Sequence, residues 1–245
     1  MFFNLFPRFC LFSLLCLTFE GLNAQTVIDL HTGRISAKTK DDYHIETREK
    51  WQIERDSLEY IDCLTRAFNH LHTDSLLQAQ DLFERALRLR PDAPGNYVVE
   101  HNLGRIAMAR AQWNEAVNRL NKVLQVQPAM SDAREDRATC YMELAMYDLA
   151  RRDYDNLLLQ HPDDPHLLLL KAIALSRSAA PYDALDILDS LIADHPDNAE
   201  AYLVRAEIHF MLKQYGYARR DIRLAAQHGL PDDEVQHFML RFEEK

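Results

Sequence analysis

Three features of the sequence predict an all-α chain of stacked helix–turn–helix repeats. Five prolines, Pro91, Pro128, Pro162, Pro196 and Pro231, follow one another at intervals of 37, 34, 34 and 35 residues. An alanine recurs ahead of each of them: Ala79, Ala116, Ala150, Ala184 and Ala218. Glycine is scarce, six in 245 residues, which suits helices better than turn-rich sheets. A proline ends a helix because it lacks an N–H and disfavours helix in the residue before it. A recurring period of this size marks an architecture in which each unit buries its apolar face only against its neighbours.

Taken in order, the first unit starts at Tyr60 and carries Ala67, Ala79, Phe83 and Ala86. The second starts at Tyr97 with Leu103-Gly104, Trp113, Ala116, Leu120 and Pro128. The third starts at Ser131 with Ala138, Tyr141, Tyr147, Ala150, Tyr154 and Pro162. The fourth starts at Pro165 with Ala172, Leu175, Ala184, Leu188, Leu191 and Pro196. The fifth starts at Ala199 with Ala206, Tyr215, Ala218, Ile222 and Ala225, and its proline, Pro231, arrives one residue late. Small residues at the eighth and twentieth places let two helices approach closely; large ones at the twenty-fourth fill the gap to the next unit. Asp or Asn after a proline is placed to cap the next helix, as in Pro162-Asp163-Asp164, Pro196-Asp197-Asn198 and Pro231-Asp232-Asp233.

This pattern resembles the tetratricopeptide repeat family. The resemblance implies a right-handed superhelical solenoid of five repeats, 60–96, 97–130, 131–164, 165–198 and 199–232, closed by a C-terminal capping helix over 233–245. The sequence departs from the family in the turn inside each repeat, where glycine is common and Asp74, Ala111, Ala145, Ala179 and Lys213 stand instead. Three extra residues follow Pro91, within Asp92-Ala93-Pro94-Gly95-Asn96, and read as a longer turn or a contact loop. Repeats three and five share Leu149-Ala150-Arg151-Arg152-Asp153 and Tyr217-Ala218-Arg219-Arg220-Asp221, a sign of internal duplication. As surface ion pairs these arginines would be worth little.

The ends read differently. Residues 1–24 have the form of a secretory signal: Arg8, the apolar run Cys10 to Phe19, and Ala24 before the cut. The run is too short to span a bilayer as a helix. This predicts an exported, periplasmic or secreted protein with no integral membrane segment after cleavage; a lipid anchor on Cys16 is the alternative, against which Leu15 and the apolar Leu17-Thr18-Phe19 argue. Residues 25–59 form a tail and a leading helix: Gln25 to Lys40 lacks helical periodicity, and Asp41 to Ser57 is charged and helix-prone. Val235, Phe238, Met239 and Phe242 share one face of the capping helix.

Composition narrows the function. The formal net charge of −10 disfavours nucleic acid and anionic membrane as partners. Cys63 and Cys140 fall in non-adjacent repeats, too far apart for a disulfide, and read as small buried apolar residues. There is no HExxH, CxxC, phosphate-binding glycine loop or GxSxG. His70 and His72 do not share a helix face, and no nucleophile, base or metal set gathers in one place. The expectation is a non-enzyme with no catalytic residue, metal or cofactor.

The family's first helices line a concave groove. Carried onto this chain, the groove residues are Leu64 and Phe68, then His101, Asn102 and Arg105, then Asp132, Glu135, Asp136 and Thr139, then His166, Leu169, Ile173 and Arg177, and finally Glu200, Leu203, Glu207 and Phe210. The resemblance implies a protein or peptide partner with apolar anchors and a basic centre. A carboxylate clamp found in one subfamily is not matched, because Asp132 and Asp136 stand where cations would be needed and repel a carboxylate. The plainer reading is that Arg105 pairs with Glu135 or Asp136 on the next helix. The function expected is an exported scaffold or adaptor in the cell envelope; the alternative is an accessory or ligand-binding subunit of an envelope uptake or secretion machine.

Overall fold

The computed structural model describes residues 40–242, with side chains from Lys50 onward. The signal segment, the lipidation candidate Cys16 and the tail before Lys40 lie outside the described residues. Among those described, all regular structure is helical: α1 Lys40–His72, α2 Leu76–Leu89, α3 Asn96–Ala109, α4 Trp113–Val126, α5 Ser131–Glu143, α6 Tyr147–Leu158, α7 Pro165–Arg177, α8 Pro181–Asp194, α9 Ala199–Met211, α10 Tyr215–Gln227 and α11 Asp232–Leu240. They fall into two compact units that divide between Val99 and Glu100, within α3.

In the first unit the leading helix and the first helix of repeat one are a single 33-residue helix, α1, which corrects the expected break near Tyr60. No proline or glycine interrupts Lys40 to His72, so nothing in the chain ends the helix earlier. Its C-terminal part packs on α2, with Cys63, Ala67, Ala79, Phe83 and Ala86 fully or almost fully buried. The three-residue insertion after Pro91 is a built turn. The Asn96 amide donates to the carbonyls of Arg90 (2.7 Å) and Pro91 (2.9 Å), and the Tyr60 hydroxyl donates to Asn96 Oδ1 at 3.0 Å. Arg85 pairs with Glu59, and Arg90 donates to Ser57.

In the second unit, from α4 to α11, each helix packs against the next along the chain. The recurring small residues are where the resemblance puts them: Ala116, Ala138, Ala150, Ala172, Ala184, Ala206 and Ala218 are all fully buried. Gly104 holds the eighth place of repeat two because a Cβ there would come within 3.2 Å of Leu120 Cγ. Leu120, Tyr154, Leu188 and Ile222 fill the twenty-fourth places, at most 1% exposed.

Polar staples run through this packing. Arg137 Nη1 donates to Asn121 Oδ1 at 2.6 Å, Lys171 Nζ lies 2.8 Å from Asp155 Oδ1, and Arg205 Nη1 donates to Asp189 Oδ1 at 2.7 Å. In each case the partner lies 16 residues earlier, on the second helix of the preceding repeat. Arg137 and Arg205 also grip a buried carboxylate 16 residues later, Asp153 (2.8 and 2.6 Å) and Asp221 (2.8 and 2.8 Å). Two-point guanidinium–carboxylate pairing fixes geometry as well as charge. The shared motif of repeats three and five therefore matters through its final aspartate and not through its paired arginines.

The turns carry a second finding. Asp74, Ala111, Ala145, Ala179 and Lys213 all have positive φ, between 47° and 61°. These are the places where the family often has glycine, and here residues with a Cβ accept the left-handed conformation. Asp164 caps α7, accepting from the backbone N–H of His166 at 2.9 Å and Leu167 at 3.2 Å, and Asn198 caps α9, accepting from Ala201 at 3.0 Å. Asp232 and Asp233 do not cap: Pro231 takes the cap place and both acids enter the first turn of α11, where they favour its positive end.

Candidate functional site

The predicted groove residues separate into an exposed set and a buried set. In the first unit Leu64 is buried and Phe68 turns its edge onto Phe83, with ring centroids 5.2 Å apart. The apolar N-terminal anchors expected from the sequence are thus engaged in the packing of α1 on α2. In the second unit His101, Asn102, Leu169 and Phe210 are likewise buried. Phe210 is sealed by α11 and the residues after it: Phe238 and Phe242 stand edge-on to it at 5.8 and 5.0 Å, and the Arg241 guanidinium sits 4.5 Å over its ring. The large residues the sequence assigns to partner contact at these places are spent on internal packing.

What the first helices of the second unit leave accessible is polar and acidic at its centre. Arg105, Asp132, Thr139, His166, Arg177, Glu200 and Glu207 are exposed, while Glu135, Asp136, Ile173 and Leu203 are half-buried. His101 Nε2 lies 2.8 Å from Asp136 Oδ2 and Arg105 Nε 4.0 Å from the same oxygen, so α3 and α5 are joined by charge. One step along, His166 Nε2 lies 3.7 Å from Glu135 Oε1, which links α5 to α7. The pairing of Arg105 with the neighbouring helix is therefore present, through Asp136, and loose enough to leave Arg105 exposed. Thr139 donates its hydroxyl to the Glu135 carbonyl at 3.0 Å.

Glu135 is the strained member of this group. Burial pushes its carboxyl above the ordinary glutamate range; His166 pulls it back, and Asp136, Asp132 and Asp164 push further up. A carboxylate desolvated and crowded by like charge gains most from an arriving cation. The face can thus select a basic group and reject an acidic one. Among the described residues, no group of three or more His, Cys, Asp or Glu side chains is placed to hold a metal ion. Cys63 and Cys140 are both free and buried, and burial pushes the Cys140 thiol up to about 12, which removes it as a nucleophile at neutral pH. No described helix is long and apolar enough to cross a membrane.

Comparison with known proteins places this geometry. Two tetratricopeptide repeat family models match, over residues 107–174 and 181–234. Among solved structures, YrrB, described as a tetratricopeptide repeat protein with an unusual peptide-binding site, aligns with a TM-score of 0.62 at 17% identity, covering 76% of this chain and 94% of its own. MamA from Desulfovibrio magneticus RS-1 aligns with a TM-score of 0.62 at 13% identity, covering 69% and 94%. A tetratricopeptide repeat protein from Parabacteroides merdae aligns with a TM-score of 0.53 at 20% identity, covering 74% and 84%. At such identities the likeness is one of fold. Curated protein sequences give no match.

Proposed function

We propose, from the premise that this chain is a tetratricopeptide-repeat protein, that it is an exported scaffold whose first-helix face in repeats two to five holds a basic segment of a protein partner in the cell envelope. A protein-interaction scaffold is what the repeat fold supports. The observation that carries the finer reading is the crowded carboxylate of Glu135 between Asp132 and Asp136, on a helix whose accessible residues are otherwise polar. A lysine or arginine laid along α5 would neutralise charge that the protein itself leaves only half-balanced through His101, Arg105 and His166. Half-buried Ile173 and Leu203 on α7 and α9 offer apolar support beside it. The peptide-binding site named for YrrB is that protein's own; its relevance here is that this architecture accommodates such a site. Export rests on the signal-like form of residues 1–24.

The test is crosslinked co-purification of the tagged chain from its own envelope fraction, beside a variant carrying Asp132→Lys and Glu135→Lys. Both positions lie on the face, and neither residue belongs to the fully buried core. A protein captured by the wild type and lost from the variant supports the reading. Equal capture by both moves the contact elsewhere and overturns it. Mass spectrometry of the purified chain's N-terminus tests export: Gln25 as first residue supports cleavage, whereas an acylated Cys16 replaces release with anchoring and an intact Met1 removes export.

A further inference from the structure

The second helices present a different face, one the groove reading does not use. In repeat four α8 shows Tyr182, Asp183 and Asp186 outward, all exposed, and the outward positions include no cation. In repeat five α10 shows Arg219, Arg220 and Arg223 outward, all exposed, and its one acid, Asp221, is buried against Arg205. Asp183, Asp186, Arg220 and Arg223 form no ion pair with another described residue. On a chain of formal net charge −10, Arg220 and Arg223 on one helix and Asp183 and Asp186 on the other make a strongly dipolar patch; Arg219 lies 4.8 Å over the Phe242 ring.

The two stripes are in register. Asp186 and Arg220 are 34 residues apart, so they occupy the same place in successive repeats. Both α8 and α10 pack on α9, which sets them on its two flanks within one unit. A two-fold axis parallel to these helices, standing in front of the face and opposite the line midway between them, sets α8 of one copy against α10 of another at the same height. Asp186 then faces Arg220 of the second copy, with Asp183 one turn before it and Arg223 of the second copy one turn after, and the symmetry makes the contact twice. We infer that the chain forms a homodimer through this face, with the acidic α8 of each copy seated on the basic α10 of the other. Exposed Tyr182, 62% accessible, supplies the aromatic contact such interfaces favour. Exposed ion pairs are individually weak and screened by salt, so the dimer is reversible and salt-sensitive. This inference does not rest on the proposed partner face, which lies on the first helices.

Sedimentation velocity of the purified chain over a wide concentration range, at low and high salt, is the measurement. The wild type is expected to be a dimer at low salt and to dissociate as salt rises. Arg220→Glu opposes like charges and raises the dissociation constant by at least about tenfold; Asp186→Lys does the same. The decisive arm is the mixture: the two charge-reversed proteins, each monomeric alone, oppose Lys at 186 to Glu at 220 and form a heterodimer, and a single chain carrying both changes dimerises again. A wild type that stays monomeric throughout overturns the inference. So does a dimer that survives either reversal, or a mixture that stays monomeric while both variants keep wild-type helicity by circular dichroism.

Discussion

Repeats three and five solve the same packing problem differently from repeats two and four. At the seventh and twenty-third places, repeat three has Arg137 with Asp153 and repeat five has Arg205 with Asp221, each pair side-on and almost fully removed from water. Repeat two has Leu103 and Arg119 there, and repeat four has Lys171 and Ile187. Lys171 keeps the staple to the preceding repeat through Asp155, but nothing behind it needs a buried carboxylate. The difference teaches that the buried ion pair is one solution among several. The backbone accepts an isoleucine where its sister repeats bury an aspartate, in keeping with the general finding that such pairs break about even with apolar substitutes and are costly only when half is removed.

That contrast can be broken outright. Asp153→Ala or Asp221→Ala leaves a guanidinium buried without its main partner and should cost about 3–5 kcal/mol in chemical denaturation. Alkali should separate the repeats next. Repeat three buries Cys140 and Tyr154 where repeat five has Ile208 and Ile222. Burial pushes the thiol and the phenol each up to about 12, above their ordinary 9.0 and 10.0. The folded chain then keeps protons that the unfolded chain releases, so this stability is intact below about pH 9 and falls between there and about 12, by up to about 1.4 kcal/mol per pH unit for each group. Cys140→Ala with Tyr154→Phe should flatten that fall when urea unfolding is followed against pH; an unchanged slope would mean the two groups are not its source. The left-handed turns are shared by both kinds of repeat, and Ala145→Gly or Ala179→Gly should each raise stability by about 0.5–1 kcal/mol. The smallest effect sharpens the comparison most: Arg205→Lys with Asp221→Ile, which writes the solution of repeat four into repeat five, should stay within about 1.5 kcal/mol of wild type.

The helices and their packing were legible because proline and alanine act locally. Pro162 and Pro196 end helices whatever surrounds them, and Ala116 or Ala184 admits a neighbouring helix by size alone. The fusion of the leading helix with repeat one was less legible, since the family pattern suggested a start at Tyr60 while only the absence of a breaker announced α1. The face residues were read by position, and position does not say which side chain has already found a partner. Phe68 is engaged by Phe83 and Phe210 by Phe238 and Phe242, contacts between segments 15 to 32 residues apart that a list of groove positions does not contain. Arg105 with Asp136 was legible because opposite charges on neighbouring first helices could be named in advance. The dipolar face of α8 and α10 was in the sequence too, but it emerges only when the buried Asp221 is subtracted from an otherwise balanced-looking run.

The chain has two tryptophans, and the fold assigns one to each unit. Trp51 stands 70% exposed on α1, whereas Trp113 opens α4 half-buried against the cluster around Ala116 and Leu120. Their emission is therefore already sorted by environment: Trp51 should fluoresce to the red and be quenched readily by iodide, and Trp113 to the blue and be shielded. With Trp51→Phe and Trp113→Phe made singly, the protein carries its own two-colour optical probe, able to report whether its two units melt together or in turn.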